Sequence, residues 1–192
     1  MNLFRPLSAT ALVCLTAAGL NGCISAPDYD IVPEIEFNEL TVGRNRPGGG
    51  NLATDTLKFA VNYKDGDGDL GLSSNDIRNA PYNSRTGGPS GRGFSYNYFI
   101  QLYLQESNGR FVAYNPGGVP GEYDGTYPRL EKNLNPDAKP GPIRGTLRYK
   151  LPISLDGVIF KSGQVFRAEI SIMDRALHQS NKVTTSEVTL GQ

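Results

Sequence analysis

The chain has no tryptophan, one histidine and two cysteines among 192 residues. Each scarcity excludes something. Zinc sites draw on several His and Cys ligands, so the lone His178 does not suggest one and reads as a loop residue. A nucleophile elbow of the Gly-x-Ser-x-Gly type is missing, so His178 has no evident catalytic partner. Lysine plus arginine and aspartate plus glutamate number 19 each. That balance lacks the basic footprint of a nucleic-acid binder, and none is expected as a partner. No segment shows a convincing helical period, and no repeat is present. Glycine (23) and proline (13) are abundant instead, which points to short strands joined by long loops.

Both cysteines lie near the start. Arg5 gives a positive opening, and Leu7 to Leu20 form an apolar run shorter than the roughly 20 residues of a membrane span. The run ends in Leu20-Asn21-Gly22-Cys23, which resembles a bacterial lipobox with Asn21 in place of the usual small residue. The expectation is a leader over 1–22 that is removed, a lipid on Cys23, a tether over 23–32 and a domain over 33–192. Removing the first 22 of 192 residues leaves 170, one domain's length and enough for a core without disulfides. The protein is then expected in the cell envelope, anchored to the outer membrane by its lipid.

Period-two alternation places the strands. A first strand is expected at 33–42. Leu57, Phe59, Val61 and Tyr63 alternate with Thr56, Lys58, Ala60 and Asn62. Tyr96, Tyr98, Ile100, Leu102 and Leu104 share the face of a third strand, and Asn108-Gly109 supplies a tight turn into Phe111 to Tyr114. Ile143 to Ile153, Phe166 to Ile172 and Lys182 to Leu190 complete seven strands, with a further short one near Tyr127 to Leu130. Without helices, this pattern predicts an all-β fold: a single immunoglobulin- or fibronectin-III-like antiparallel sandwich with long loops. The stretches 73–93 and 115–142 show no period, and connections of that length are functional or disordered.

The second strand runs into Asp65-Gly66-Asp67-Gly68-Asp69-Leu70-Gly71-Leu72. Carboxylates two residues apart on extended or tightly turned backbone converge on one point and repel unless a hard cation takes their oxygens. Ca²⁺ accepts six to eight. Against the EF-hand template, Asp65, Asp67 and Asp69 occupy the first three ligand positions and Asp76 the twelfth, while Leu70 stands where the template has glycine. The alternative is a turn whose aspartates bond their own backbone. Glu34 with Glu36, or Glu131 with Asp137, offer paired carboxylates with no distinguishing spacing. Tyr82, Tyr114, Tyr123 and Tyr127 offer a sugar or peptide platform, and Arg78, Arg85 and Arg92 an anion-facing loop, or simply a solvated one.

The aspartate-glycine run after a strand, with Asp174-Arg175-Ala176 before a last strand, resembles small immunoglobulin-like lipoproteins of Bacteroidota. The resemblance implies a fold and a compartment, not an activity. With neither tryptophan nor a cysteine pair, the domain is not of the antibody type, and Phe166 stands at the place of a fibronectin-like corner tyrosine. Labelled A to G, the strands would send the B–C, D–E and F–G loops and the start of strand A to one pole. That brings Asp174 to the aspartate loop as a further calcium ligand, and the tether with it. The functional expectation is a non-enzymatic binding or accessory subunit of an envelope assembly, with an outer-membrane protein as partner. The alternatives are a glycan-binding module, against which the missing tryptophan weighs, and a calcium-dependent hydrolase using Asp174.

Overall fold

A computed structural model describes residues 27–130 and 141–192. The leader and residues 23–26 of the tether, Cys23 among them, lie outside the described residues, as do Glu131 and Asp137. Among the described residues are eight strands: β1 (Glu34–Asn45), β2 (Thr54–Asp65), β3 (Tyr98–Gln105), β4 (Phe111–Ala113), β5 (Ile143–Ser154), β6 (Val165–Ile172), β7 (Val183–Thr184) and β8 (Val188–Thr189). One sheet has the order β1-β2-β5. The other has the order β4-β3-β6-β7, with β8 also on β6, and all the pairings are antiparallel. In letters this is A-B-E against D-C-F-G, an immunoglobulin-like sandwich whose fourth strand has joined the C-F-G sheet.

The alternation of apolar residues decides which faces meet. Leu57, Phe59 and Val61 of β2 are buried against Tyr98, Ile100 and Leu102 of β3 and Phe166, Ala168, Ile170 and Ile172 of β6. The Tyr98 ring stacks on Tyr149 with centroids 4.8 Å apart, and Phe166 packs edge-on against Tyr114. Phe166 thus fills the core at the expected corner. In β1 the core-facing residues change parity, from Ile35 to Leu40 and Val42. A bulge between Phe37 and Glu39 absorbs the extra residue, as bulges do, and Asn38 bonds Asn62 beside it.

Several boundaries differ from the sequence expectation, and the first strand runs on to Asn45. The third strand begins at Tyr98, because Asn97 ahead of it is buried and uses its side chain to hold the backbone of Tyr127 through two hydrogen bonds of 2.8 and 3.0 Å. The last strand is two short ones, since Thr185 turns inward and its hydroxyl accepts the Ala168 N–H. No strand forms at 127–130; that segment exchanges two backbone bonds with Leu70 and Leu72 instead. The 73–97 connection is folded on itself through a 3₁₀ turn over Asp76–Arg78 and a series of backbone bonds.

Candidate metal centre

The aspartate loop leaves β2 at the end of the sandwich where β1 begins, for Glu34 is paired with Lys64. Leu70 explains the departure from the EF-hand spacing. It is buried and forms an isolated antiparallel bridge with Asp174, so it pins the loop into the core where the EF-hand would use glycine to turn. Gly68 and Gly71, at φ +74° and +89°, make the turns on either side. Asp174 follows β6 and is closed in by a tight turn. Its N–H donates to the His178 carbonyl, and Leu177 sits at φ +70°, a left-handed conformation that costs a non-glycine residue free energy.

One carboxylate oxygen from each of Asp65, Asp69 and Asp174 lies within 4.8 Å of the others. Oxygens bound to one Ca²⁺ at 2.3–2.6 Å are at most about 4.6–5.2 Å apart, so the three are close enough together to hold a metal ion. Asp65 has no solvent exposure and Asp174 has 1 %. Asp65 and Asp69 are half-committed. Asp65 Oδ2 accepts the Asp69 N–H and Asp69 Oδ2 accepts the Ala176 N–H, while the Oδ1 atoms of Asp65, Asp67 and Asp69 are buried without a hydrogen-bond partner. Buried acceptors are rarely left so, and the cost of leaving one unpaired is highest for a charged group. One oxygen oriented by backbone and the other free is an arrangement suited to a cation ligand.

The electrostatics agree. Burial, then repulsion from Asp67 and Asp69, pushes the Asp65 carboxyl up to about 7. Burial, followed by the neighbouring carboxylates, also raises Asp69. Asp174 is raised by burial against the opposing hydrogen bonds from His178. His178 places Nδ1 2.9 Å from Asp174 Oδ2, and this contact raises the imidazole. Beneath the site, burial and then the charges of Asp65, Asp174 and Asp69 push the Tyr127 phenol upward.

Asp76 lies elsewhere. Its Oδ2 accepts from the N–H and hydroxyl of Ser73, and its Oδ1 pairs with Arg175 at 3.2 Å. Burial raises its carboxyl, but these partners outweigh it and hold it below the usual range. Asp76 is not among the three carboxylates that come together, and it supports the centre through Arg175. The four loop tyrosines are each engaged within the fold. Tyr127 is buried with its hydroxyl on the Met173 carbonyl, Tyr82 donates to the Arg175 carbonyl, Tyr114 donates to the Ile159 carbonyl, and Tyr123 packs on Phe160. Of the loop arginines, Arg92 stacks over Tyr96 and donates to the Gly121 carbonyl, while Arg78 and Arg85 are exposed.

Sequence reasoning missed Asn97, Arg175 and the His178 contact as supports of this pole. The four-residue spacing of Asp174 and His178 in a turn was the available signal for the last. Among the described residues, no helix is long and apolar enough to cross a membrane. No protein-family model matches the chain, no curated protein matches it, and no solved structure matches it.

Proposed function

We propose that the protein is a calcium-stabilised, lipid-anchored accessory subunit of the outer membrane that binds a partner and performs no chemistry of its own. One observation carries this reading. Carboxylates from two loops converge at the pole where the chain arrives from its N-terminal side, and those of the aspartate loop keep buried oxygens without a partner. Calcium would be held by Asp65, Asp67, Asp69 and Asp174, cancelling a repulsion that otherwise works against the closed pole. An ion bound only by the folded state stabilises it by about 2.7 kcal/mol at a hundredfold excess over Kd.

The orientation supports an accessory role. Fully extended, the ten residues from Cys23 to Val32 reach at most about 35 Å, so the loop-rich pole stands toward the membrane. The Asn108-Gly109 turn and the C-terminus, where Gly191 N–H donates to Asp55, stand away from it. A free glycan binder would need an outward site, and the tyrosines considered for one are engaged internally.

The anchoring is tested by Cys23→Ser, which should release the protein from the membrane fraction or leave an unprocessed precursor. Wild-type membrane association carrying the wild-type lipid mass would refute it. Pull-down from detergent-solubilised membranes then tests the partner: retention of an outer-membrane protein is the expected result, and glycan retention without one would transfer the reading to a sugar-binding module.

A further inference from the structure

The aspartate loop does two things on alternate residues. Asp65 and Asp69 turn toward the candidate centre, and Asp67 between them has a buried oxygen without a partner. The glycines between and after them press against other parts of the chain. A β-carbon on Gly66 would collide with the Tyr29 carbonyl oxygen, and lie 2.8 Å from that of Asp30. One on Gly68 would collide with the Gly141 carbonyl, and one on Gly71 with the Pro128 carbonyl. Real β-carbons do not approach so closely, so each glycine is a seat for a different strand of backbone. The Gly66 seat is also bonded: its N–H donates to the Asp30 carbonyl at 2.8 Å. Asp30 shapes the segment it belongs to, because its Oδ1 accepts the Val32 N–H at 2.9 Å.

The consequence is mechanical. Without a cation, the three carboxylates brought together here repel one another, which works against the closed loop and the glycine seats it forms. With a cation, the loop closes and all the seats form together. We infer that the loop is a calcium-operated clasp: ion binding locks the N-terminal segment at Tyr29–Asp30 onto the sandwich and so fixes how the domain stands on its tether. This rests on the calcium reading above and adds to it a regulated segment. Because the two events share one loop conformation, they are linked reciprocally: seating of 29–30 raises affinity for the ion, and the ion raises the occupancy of the seat.

The test is amide hydrogen exchange on the full chain in millimolar calcium and in chelator. The expected result is that calcium slows exchange of 28–33 and of 65–71 together, by about tenfold or more, since both close in one local transition. Gly66→Ala should lose the protection of 28–33 while calcium still slows exchange of 174–178. Should that variant fold poorly, Asp30→Ala, at an exposed residue, should weaken calcium affinity and tether protection together, and Asp30→Asn, which keeps the acceptor for Val32, should restore the protection. If calcium protects 65–71 and 174–178 but leaves 28–33 exchanging at one rate, the clasp is wrong and the calcium site stands. If calcium protects none of these segments, the calcium reading fails and the clasp with it.

Discussion

Replacing Asp65 by asparagine should change stability in opposite directions with and without calcium. The side chain is fully buried, and its carboxyl is pushed up to about 7 by burial and by Asp67 and Asp69. Moving an ionisation from about 4 to about 7 corresponds to about 4 kcal/mol against the charged form. Relaxation and water entry lower such penalties, so about 2 kcal/mol is a working figure for the neutral protein's advantage near pH 7.5. Asparagine keeps the oxygen that accepts the Asp69 N–H, and its amide can face the remaining carboxylates. In chelator, therefore, Asp65→Asn should be the more stable protein, by about 4–8 °C at 2–4 °C per kcal/mol for a domain of this size. In calcium the order should reverse, because wild type gains about 2.7 kcal/mol at a hundredfold excess over Kd and the variant has lost a central ligand. Thermal melts of both proteins in both conditions decide it. If asparagine destabilises the protein equally in chelator and in calcium, the carboxylate is a structural acceptor and the argument from repulsion is refuted.

The pH dependence of the chelated protein should follow from the same charges. A carboxyl raised in the folded state holds its proton to higher pH than in the unfolded chain, so stability is full below about 4 and falls as pH rises through about 7. Asp65, Asp69 and Asp174 act in this direction, and so does His178, raised by Asp174. Urea midpoints in chelator should fall from pH 5 to pH 8, with calcium offsetting the loss; a rise in chelator would contradict the assignment. At Gly68, alanine should cost about 2–4 kcal/mol, from its positive φ and from displacement of the Gly141 carbonyl. Gly49→Ala, at the similar φ of +73° but with open space around it, should cost only the conformational part, about 1–2 kcal/mol. Equal melting-temperature losses in the two variants would show that the seat is not tight.

The sandwich was legible because its core strands keep strict alternation. In β6, Phe166, Ala168, Ile170 and Ile172 are all buried as the pattern required, and the same holds for Leu57, Phe59 and Val61. Alternation failed where a side chain used its hydrogen-bonding capacity on a distant segment. Asn97 breaks the strand before Tyr98 in order to clamp Tyr127, and a partner thirty residues away leaves no local trace. Tyr82, Tyr114 and Tyr127 misled for the same reason. A tyrosine in an irregular stretch looks free in sequence, yet its hydroxyl finds a carbonyl when the stretch folds back.

The candidate centre shows the opposite case, in which topology made a distant pair legible. Asp69 and Asp174 are separated by most of the domain in sequence. No periodicity links them, and only the strand order does. In an A-B-E against D-C-F-G sandwich, the exit of β2 and the exit of β6 lie at one end, so an acidic residue closing each strand must meet the other. The bridge between Leu70 and Asp174 is that meeting. Asp76 is nearer to the loop in sequence and fits the EF-hand count, but a count of residues assumes the EF-hand's backbone path. Here Leu70 dives into the core and the chain turns at Gly71, which carries Asp76 away to Ser73 and Arg175. For this loop, the sandwich geometry and not the template spacing selects which carboxylates face one another, and substitutions at Asp174 should accordingly weaken calcium binding more than substitutions at Asp76.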